Sequence, residues 1–280
     1  MPNPTSPLRY PGGKHKFYKK IVSIFEKNKI HNAIYVEPFA GGAGLATSLL
    51  INNKVKQIII NDYDRCIFAF WYSILNYTDQ FCQKIIDTEV HISEWYKQKE
   101  ILNNKNTADL LDLGFSTFFL NRTNRSGILK GGPIGGYHQN GKYKIDCRFN
   151  KEKLIKNILK IASLKENIQL TNLDALDFIP QLKNFESEKY FIFIDPPYYN
   201  KGKELYLNFY THEDHITLSR CIHDNLKDFR WILTYDNCDE IKQIYQSYKR
   251  TYFQLIYTAG KTRNATEVVF YNNLIIPEYI

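Results

Sequence analysis

Residues 190–199 read YFIFIDPPYY, and no other stretch restricts the fold as tightly. Tyr190 to Ile194 is aromatic and β-branched without polar alternation, the pattern of a strand covered on both faces in a parallel sheet. Asp195 then stands at the carboxyl end of that strand, where open α/β sheets bind ligands. Pro196 and Pro197 stiffen the backbone and have no N–H to donate. A carboxylate, a carbonyl and the aromatic face of Tyr198 converge there. The set suits a planar base with an exocyclic amine: Asp195 accepts one N–H, the Pro196 carbonyl the other, and Tyr198 stacks on the ring. The plain alternative is a strand followed by a proline turn.

The chain is long and apolar enough to fold as one domain, or as one domain with an insertion. Its 280 residues, 44% hydrophobic and 15% aromatic, can bury a large core. Lys and Arg number 37 against 29 Asp and Glu, a net charge of +8, which favours a polyanionic partner. No apolar leader and no 18-residue apolar run is present, so a soluble cytoplasmic protein with no membrane association is expected. Cys66, Cys82, Cys147, Cys221 and Cys238 show no C-x-x-C pairing and read as reduced thiols.

At the start, PLRYPGGKHK combines the aromatic Tyr10, a flexible Gly12-Gly13 turn and the cation Lys14, a clamp if it is more than a solvated loop. A helix follows over 16–26. Residues 33–44, AIYVEPFAGGAG, read as a strand entering a glycine-rich turn, with a helix from Leu45 to Ile51. Gly41, Gly42 and Gly44 do not give G-x-G-x-x-G, and Glu37 before the turn would repel a pyrophosphate but welcome a cation. S-adenosylmethionine, with positive sulfonium and amino groups, fits better than NAD. Residues 55–64, VKQIIINDYD, form a third strand ending in acids: Asp62 is placed to accept both hydroxyls of a ribose, and Asp64 to cap the helix over 64–76.

From Asp79 the pattern becomes helical, over 80–89, 93–102 and 107–120. It leads into a basic, glycine-rich stretch, NRTNRSGILKGGPIGGYHQNGKYKIDCRF at 121–149. Asn140-Gly141 signals a β-hairpin. Asn121, Arg122, Asn124 and Arg125 have the side chains that pair with purine edges, whereas Lys130, Lys142, Lys144 and Arg148 suit phosphates and Tyr137 offers an aromatic contact. A solvated basic loop is the plain alternative. After a helix over 151–164, a strand over 167–171 puts Asp174 near its carboxyl end. Thr211 then caps a helix to Leu226, and that cap accounts for its start better than zinc ligation by His212, His215, Cys221 and His223. Strands over 230–234, 253–257 and 267–272 make seven, the last two forming an antiparallel hairpin.

The order PLRYPGGK, VEPFAGGAG, NDYD, a basic insert containing FFLNRTNRSG, DPPY and LTYDN resembles the Dam-type, α-class DNA adenine-N6 methyltransferases over nearly the whole chain. The resemblance implies a seven-stranded, Rossmann-like methyltransferase sheet. Residues 1–77 and 165–280 would form the catalytic domain. Residues 78–164 would be an inserted, mainly helical target-recognition domain. It assigns cofactor contacts to Tyr10, where tryptophan is more usual, and to Lys14, Glu37, Phe39, Gly41, Asp62, Asp174 and Asp195. The F-x-G-x-G cofactor turn falls on Phe39, Gly41 and Ala43, the last replacing a glycine. The catalytic motif falls on Asp195, Pro196, Pro197 and Tyr198.

The implied reaction moves a methyl group from S-adenosylmethionine, without a metal, to N6 of an adenine flipped out of duplex DNA. The setting stays open between restriction-modification, a phage and epigenetic marking, with a cognate restriction endonuclease as companion in the first case. A carboxylate with an ordinary pKa of about 3.9 does not deprotonate a neutral aromatic amine, so the two acceptors must instead hold N6 near tetrahedral and stabilise its developing charge. Two rivals stand beside this reading. Cytosine-N4 methylation shares the geometry but usually has serine in place of Asp195. A non-catalytic DNA-binding protein on the same scaffold would not need an intact DPPY.

Overall fold

The computed structural model of the protein describes residues 6–9, 14–200, 210–257 and 263–277. Strands β1 (Ile34–Glu37), β2 (Gln57–Asn61), β3 (Ile168–Thr171), β4 (Tyr190–Ile194), β5 (Arg230–Asp236), β6 (Lys249–Tyr257) and β7 (Arg263–Asn272) form one sheet ordered β3-β2-β1-β4-β5-β7-β6. The first five are parallel, and β7 runs antiparallel between β5 and β6. The strand order reverses between β1 and β4, which pair side by side. Their carboxyl ends therefore open onto a crevice of the kind that binds ligands in α/β sheets.

Helices cover both faces, which is why the β4 run has no polar break. On one face Phe191 and Phe193 meet Phe25 of α1 (Tyr18–Lys27) and Phe17 just before it. On the other, Ile192 and Ile194 share a core with Leu218 and Ile222 of α9 (His212–Asn225). Thr211 caps α9 through a reciprocal bond pair with Asp214. Helix α2 (Gly44–Ile51) follows β1, α3 (Arg65–Asn76) follows β2, and α8 (Ala175–Gln181) follows β3. The short α10 (Asp239–Ile244) links β5 to β6. Among the described residues no helix is long and apolar enough to cross a membrane.

Between α3 and β3 the chain runs through α4 (Thr78–Asp87), α5 (Ile92–Asn103), α6 (Leu110–Thr123) and α7 (Lys151–Ala162). Phe70 of α3 packs on Phe81 and Phe118, and Phe118 on Phe149, so the inserted helices share one apolar cluster with the sheet. The expected β-hairpin is not formed. Among the described residues of 78–164 there is no strand, only an isolated bridge between Asn124 and Pro133 and two single 3-10 turns, Arg125–Gly127 and Ile145–Arg148. A two-residue hairpin turn needs positive φ at its central residues, but here Gln139 takes that conformation, at φ 52°, and Asn140 and Gly141 do not. The Gln139 side chain instead closes a compact loop. Its amide donates to the Ile134 and Gly136 carbonyls, and its carbonyl oxygen accepts from the Ile145 N–H.

Contact between α3 and α6 depends on Gly114. A Cβ there would lie 2.5 Å from both the Ala69 carbonyl oxygen and Ser73 Oγ, closer than any ordinary contact. In a free helix Gly→Ala stabilises by about 1 kcal/mol. Here the clash is with backbone, so Gly114→Ala should destabilise the protein by about 1 to 3 kcal/mol, the range for overpacking. Urea unfolding at constant m-value measures this, and a raised midpoint would show that the two helices separate freely.

Candidate active site

At the carboxyl end of β1 the chain turns through residues 38–43 into α2, and polar groups of neighbouring strands hold that turn. The Asn61 side chain donates to the Pro38 and Leu173 carbonyls and accepts from Thr171 Oγ1 and the Leu173 N–H, tying together the ends of β1, β2 and β3. Asp62 Oδ2 accepts from the Gly41 N–H at 2.7 Å, and its Oδ1 from the Asp64 N–H at 2.9 Å. Trp71 Nε1 donates to the Gly41 carbonyl and Ser6 Oγ to that of Gly42. So held, Ala43 sits in the left-handed region at φ 40°, the conformation for which glycine is the usual residue. The F-x-G-x-A register therefore keeps the backbone of a glycine turn despite the alanine.

Two buried acids line this end. Burial pushes Glu37 up to about 8, even though Tyr35 donates a 2.8 Å hydrogen bond to its Oε1. Burial, with the charge of Asp64 adding to it, pushes Asp62 up to about 7. Asp64 itself caps α3 by accepting from the Cys66 N–H. Asp174 caps α8 through the Leu176 N–H and also lines the cavity. Phe39, another lining residue, meets Tyr210 edge to face at 6.1 Å.

At the carboxyl end of β4, Asp195 Oδ1 receives both Lys14 Nζ at 3.1 Å and Thr234 Oγ1 at 2.7 Å. Lys14 reaches both oxygens of Glu267 as well, at 3.1 and 3.2 Å, and the Tyr198 hydroxyl. Burial raises the Asp195 carboxyl to about 6 against the opposing pull of Lys14. The backbone beyond the prolines is fixed by Asp236, whose two oxygens accept from the Tyr199 and Asn200 N–H groups. Tyr198 departs from expectation. Its side chain is buried, its hydroxyl donates to Glu267, and Lys14 Nζ stands 4.9 Å from its ring centre, so the ring lies in the interior and does not line the cavity. Tyr10 lies outside the described residues.

The insert residues divide differently from their expected roles. Asn121 is buried and its amide is consumed by the backbone of Arg9 and Gly127. Asn124 is buried too, accepting from Trp95 Nε1 and donating to the Ile128 and Leu129 carbonyls. Neither amide is presented to DNA. Arg122 donates to the Arg148 and Pro7 carbonyls and lines the cavity, where burial together with Arg9 and Arg148 lowers its guanidinium to about 10. Arg125, Lys130, Tyr137, Lys142, Lys144 and Arg148 are all exposed, with Tyr137 stacked on Tyr96. A composition of arginine and asparagine could not separate braces from exposed contacts. Glu267, Asn61 and Tyr96 escaped the sequence reading because each sits in a run whose pattern is that of an ordinary strand or helix.

Between these ends lies a cavity of about 800 Å³, large enough for a nucleoside-sized ligand and a base together. Its acids are Glu37, Asp62, Asp64, Asp174, Asp195 and Asp214; its cations are Arg9, Lys14, Arg122 and Lys153. Among the described residues Glu37 and Asp62 form no ion pair, and buried carboxyls of that kind next to a glycine turn fit a positively charged adenosyl ligand such as S-adenosylmethionine. Among the described residues no cluster of His, Cys, Asp or Glu could hold a metal ion.

The raised acids make stability depend on pH in a defined direction. A carboxyl whose folded pKa lies above its unfolded value near 4 stabilises the fold at low pH and loses that contribution as pH rises through the folded pKa. His215, which burial lowers to about 4, acts oppositely only below about pH 6.5. From pH 6.5 to 8.5 the ligand-free protein should therefore lose stability as Asp62 and Glu37 ionise. The slope is at most about 1.4 kcal/mol per pH unit for each proton that the folded state holds and the unfolded state has lost, and it flattens above each folded pKa. Thermal unfolding across this range should show a shallower decline for Glu37→Gln, and parallel curves would remove Glu37 from the account.

Similarity to known proteins agrees with this geometry. The profile of the D12 class N6 adenine-specific DNA methyltransferases matches residues 10–262. Type II methyltransferase M.MjaIII of Methanocaldococcus jannaschii is 26% identical over 220 residues, 74% of this chain and 73% of that protein. Type II methyltransferase M.CviBI of Paramecium bursaria Chlorella virus NC1A is 23% identical over 277 residues, 95% of this chain and 98% of that protein. Modification methylase StsI of Streptococcus sanguinis is 30% identical over 217 residues, 71% of this chain but 30% of that protein. With the family profile covering almost all of the sequence and Asp195 and Pro197 of its DPPY motif lining the cavity, the chain belongs to the D12 class of N6 adenine-specific DNA methyltransferases.

Proposed function

We propose that Asp195 Oδ2 and the Pro196 carbonyl receive the two N6–H groups of an adenine turned out of duplex DNA. Residues 78–164 would form the insert that selects the target site. The observation that carries this reading is the asymmetry of the Asp195 carboxylate. Thr234 donates to Oδ1 and Lys14 makes its closest approach to the same oxygen, while among the described residues no hydrogen bond reaches Oδ2. No hydrogen bond among the described residues reaches the Pro196 carbonyl either. Among the described residues two acceptors beside the cavity thus receive no hydrogen bond, as a primary amine requires.

Adenine N6 is a weak nucleophile because its lone pair is delocalised into the ring. Two acceptors on its protons favour a near-tetrahedral nitrogen with the lone pair localised, and the Asp195 charge stabilises the cation that forms. The bound cofactor supplies an electrophilic methyl group on a sulfonium centre. With its carboxyl raised to about 6, Asp195 Oδ2 is basic enough to take the proton released from N6 afterwards. Extrusion from the duplex costs a few kcal/mol. Phe39 and Tyr210 supply the aromatic wall in place of Tyr198.

For the cofactor, Asp62 accepts the ribose hydroxyls, Glu37 faces its positive end with Phe39 and Gly41, Asp174 contacts the adenine, and Arg9 and Arg122 receive its carboxylate. Arg125, Lys130, Tyr137, Lys142, Lys144 and Arg148 contact DNA. By extension from relatives named as type II and modification enzymes, the protein acts in the cytoplasm beside a restriction endonuclease that it protects against.

Replacing Asp195 by Ala should lower single-turnover transfer by at least about 1,000-fold, the scale of a lost electrostatic stabiliser, while DNA and S-adenosylmethionine still bind. Digestion of wild-type product to nucleosides should yield N6-methyladenine; N4-methylcytosine, or an active variant, would remove Asp195 from this role. For Arg122→Gln, calorimetry should show S-adenosylmethionine weakened by about 1.5 to 3 kcal/mol, the range for hydrogen bonds to a charged group. Binding of 5′-methylthioadenosine, which has no carboxylate, should be unchanged. Equal losses for both ligands would make Arg122 a brace and nothing more.

A further inference from the structure

We infer that Glu267, on the antiparallel strand β7, is a positioning residue for methyl transfer: it anchors Lys14 and Tyr198 beneath the DPPY motif and offsets the charge of the lysine, so that Asp195 keeps its own. The inference rests on the role proposed for Asp195.

Lys14, Asp195 and Glu267 are all largely removed from water, with side-chain exposures of 6%, 19% and 2%. If Lys14 met Asp195 alone, the pair would be neutral, and Asp195 could do little for a positive charge arising on N6. Lys14 also meets both oxygens of Glu267, so its ammonium is shared between two acids and is not taken up by Asp195 alone. A buried ion pair is a poor way to add stability, because desolvation offsets its attraction. Burying two acids around one lysine, where one aspartate would satisfy it, therefore calls for another reason.

The geometry supplies the mechanical half. Glu267 pairs with Asp236 across the β5–β7 ladder, and Asp236 holds the backbone of Tyr199 and Asn200. Tyr198 donates its hydroxyl to Glu267 and lies under the lysine ammonium. One glutamate thus grips the turn from below while its paired neighbour grips it from the side. The groups facing Asp195 are Lys14 from the 3-10 turn Lys14–Phe17, Glu267 from β7, Thr234 from β5, and Glu37 and Tyr35 from β1. Of the acids among these, Glu267 is the one that raises the Asp195 carboxyl most directly.

The test is single-turnover methylation across pH with Glu267→Gln, an isosteric change, with S-adenosylmethionine binding as the check on folding. The expected result is a plateau rate lowered about 10- to 100-fold, the scale of a misplaced catalytic group, with KM for DNA unchanged. The acid limb should also move about one unit downward, because a negative charge near Asp195 has gone. Glu267→Asp should restore the limb. In a Lys14→Met background, Glu267→Gln should cause a smaller loss than in the wild type, since the charge it offsets is absent and only the anchoring of Tyr198 is removed. An unshifted acid limb, or equal losses in both backgrounds, overturns the inference. If Glu267→Gln does not fold, Tyr198→Phe takes its place: it should lower the plateau only when Lys14 is present, and a wild-type plateau overturns the inference. The two readings fail separately. An active Asp195→Ala variant removes both, whereas an inactive Asp195→Ala beside a wild-type Glu267→Gln removes only this one.

Discussion

A strand buried on both faces can present chemistry only at its ends, and the whole molecule follows from that constraint. Val36 and Ile192 point to one layer of helices while Tyr35, Phe191 and Phe193 point to the other, so no functional group fits along β1 or β4. Glu37 and Asp195 are the first positions past the apolar runs at which a polar side chain can appear, and the sheet brings them together because β1 and β4 are neighbours. The strand reversal that creates the crevice also decides which acids share it. Asp62 enters from β2 on one side, Thr234 and Asp236 from β5 on the other.

This explains what could be read in the chain and what could not. The β4 run with Asp195, the turn after β1, the acid after β2 and the terminal antiparallel pair were all legible, because each announces itself by a local change from apolar to polar or from strand to glycine. Strand ends were less so: β6 begins at Lys249 and β7 at Arg263, several residues before the expected positions, since an antiparallel pair lengthens by mutual hydrogen bonding and not by apolar content. Side-chain direction was not legible. Tyr198 and Tyr199 are identical in sequence terms, yet one is interior and the other partly exposed, because only the first lies over Glu267.

The insert shows the same limit in another form. Arginine and asparagine read as base-reading groups by type alone, but Asn121 and Asn124 lie at the end of a buried helix, where unpaired backbone must be satisfied by something. Their amides meet that need for Arg9, Gly127 and Ile128. The expected hairpin fails for a related reason. The signal was a dipeptide, whereas the loop closes through the side chain of Gln139, which no turn rule includes.

The ammonium that joins Asp195 to Glu267 belongs to the fourteenth residue, and its partner on β7 lies 253 positions further along the chain. A polypeptide leaving the ribosome makes its cofactor turn early and its DPPY strand later. The charge cluster closes only when the last long strand has been synthesised and has docked between β5 and β6. Completion of the active site thus waits for β7, and a chain made only as far as β5 has every segment of the motif series except the one that holds the lysine in place.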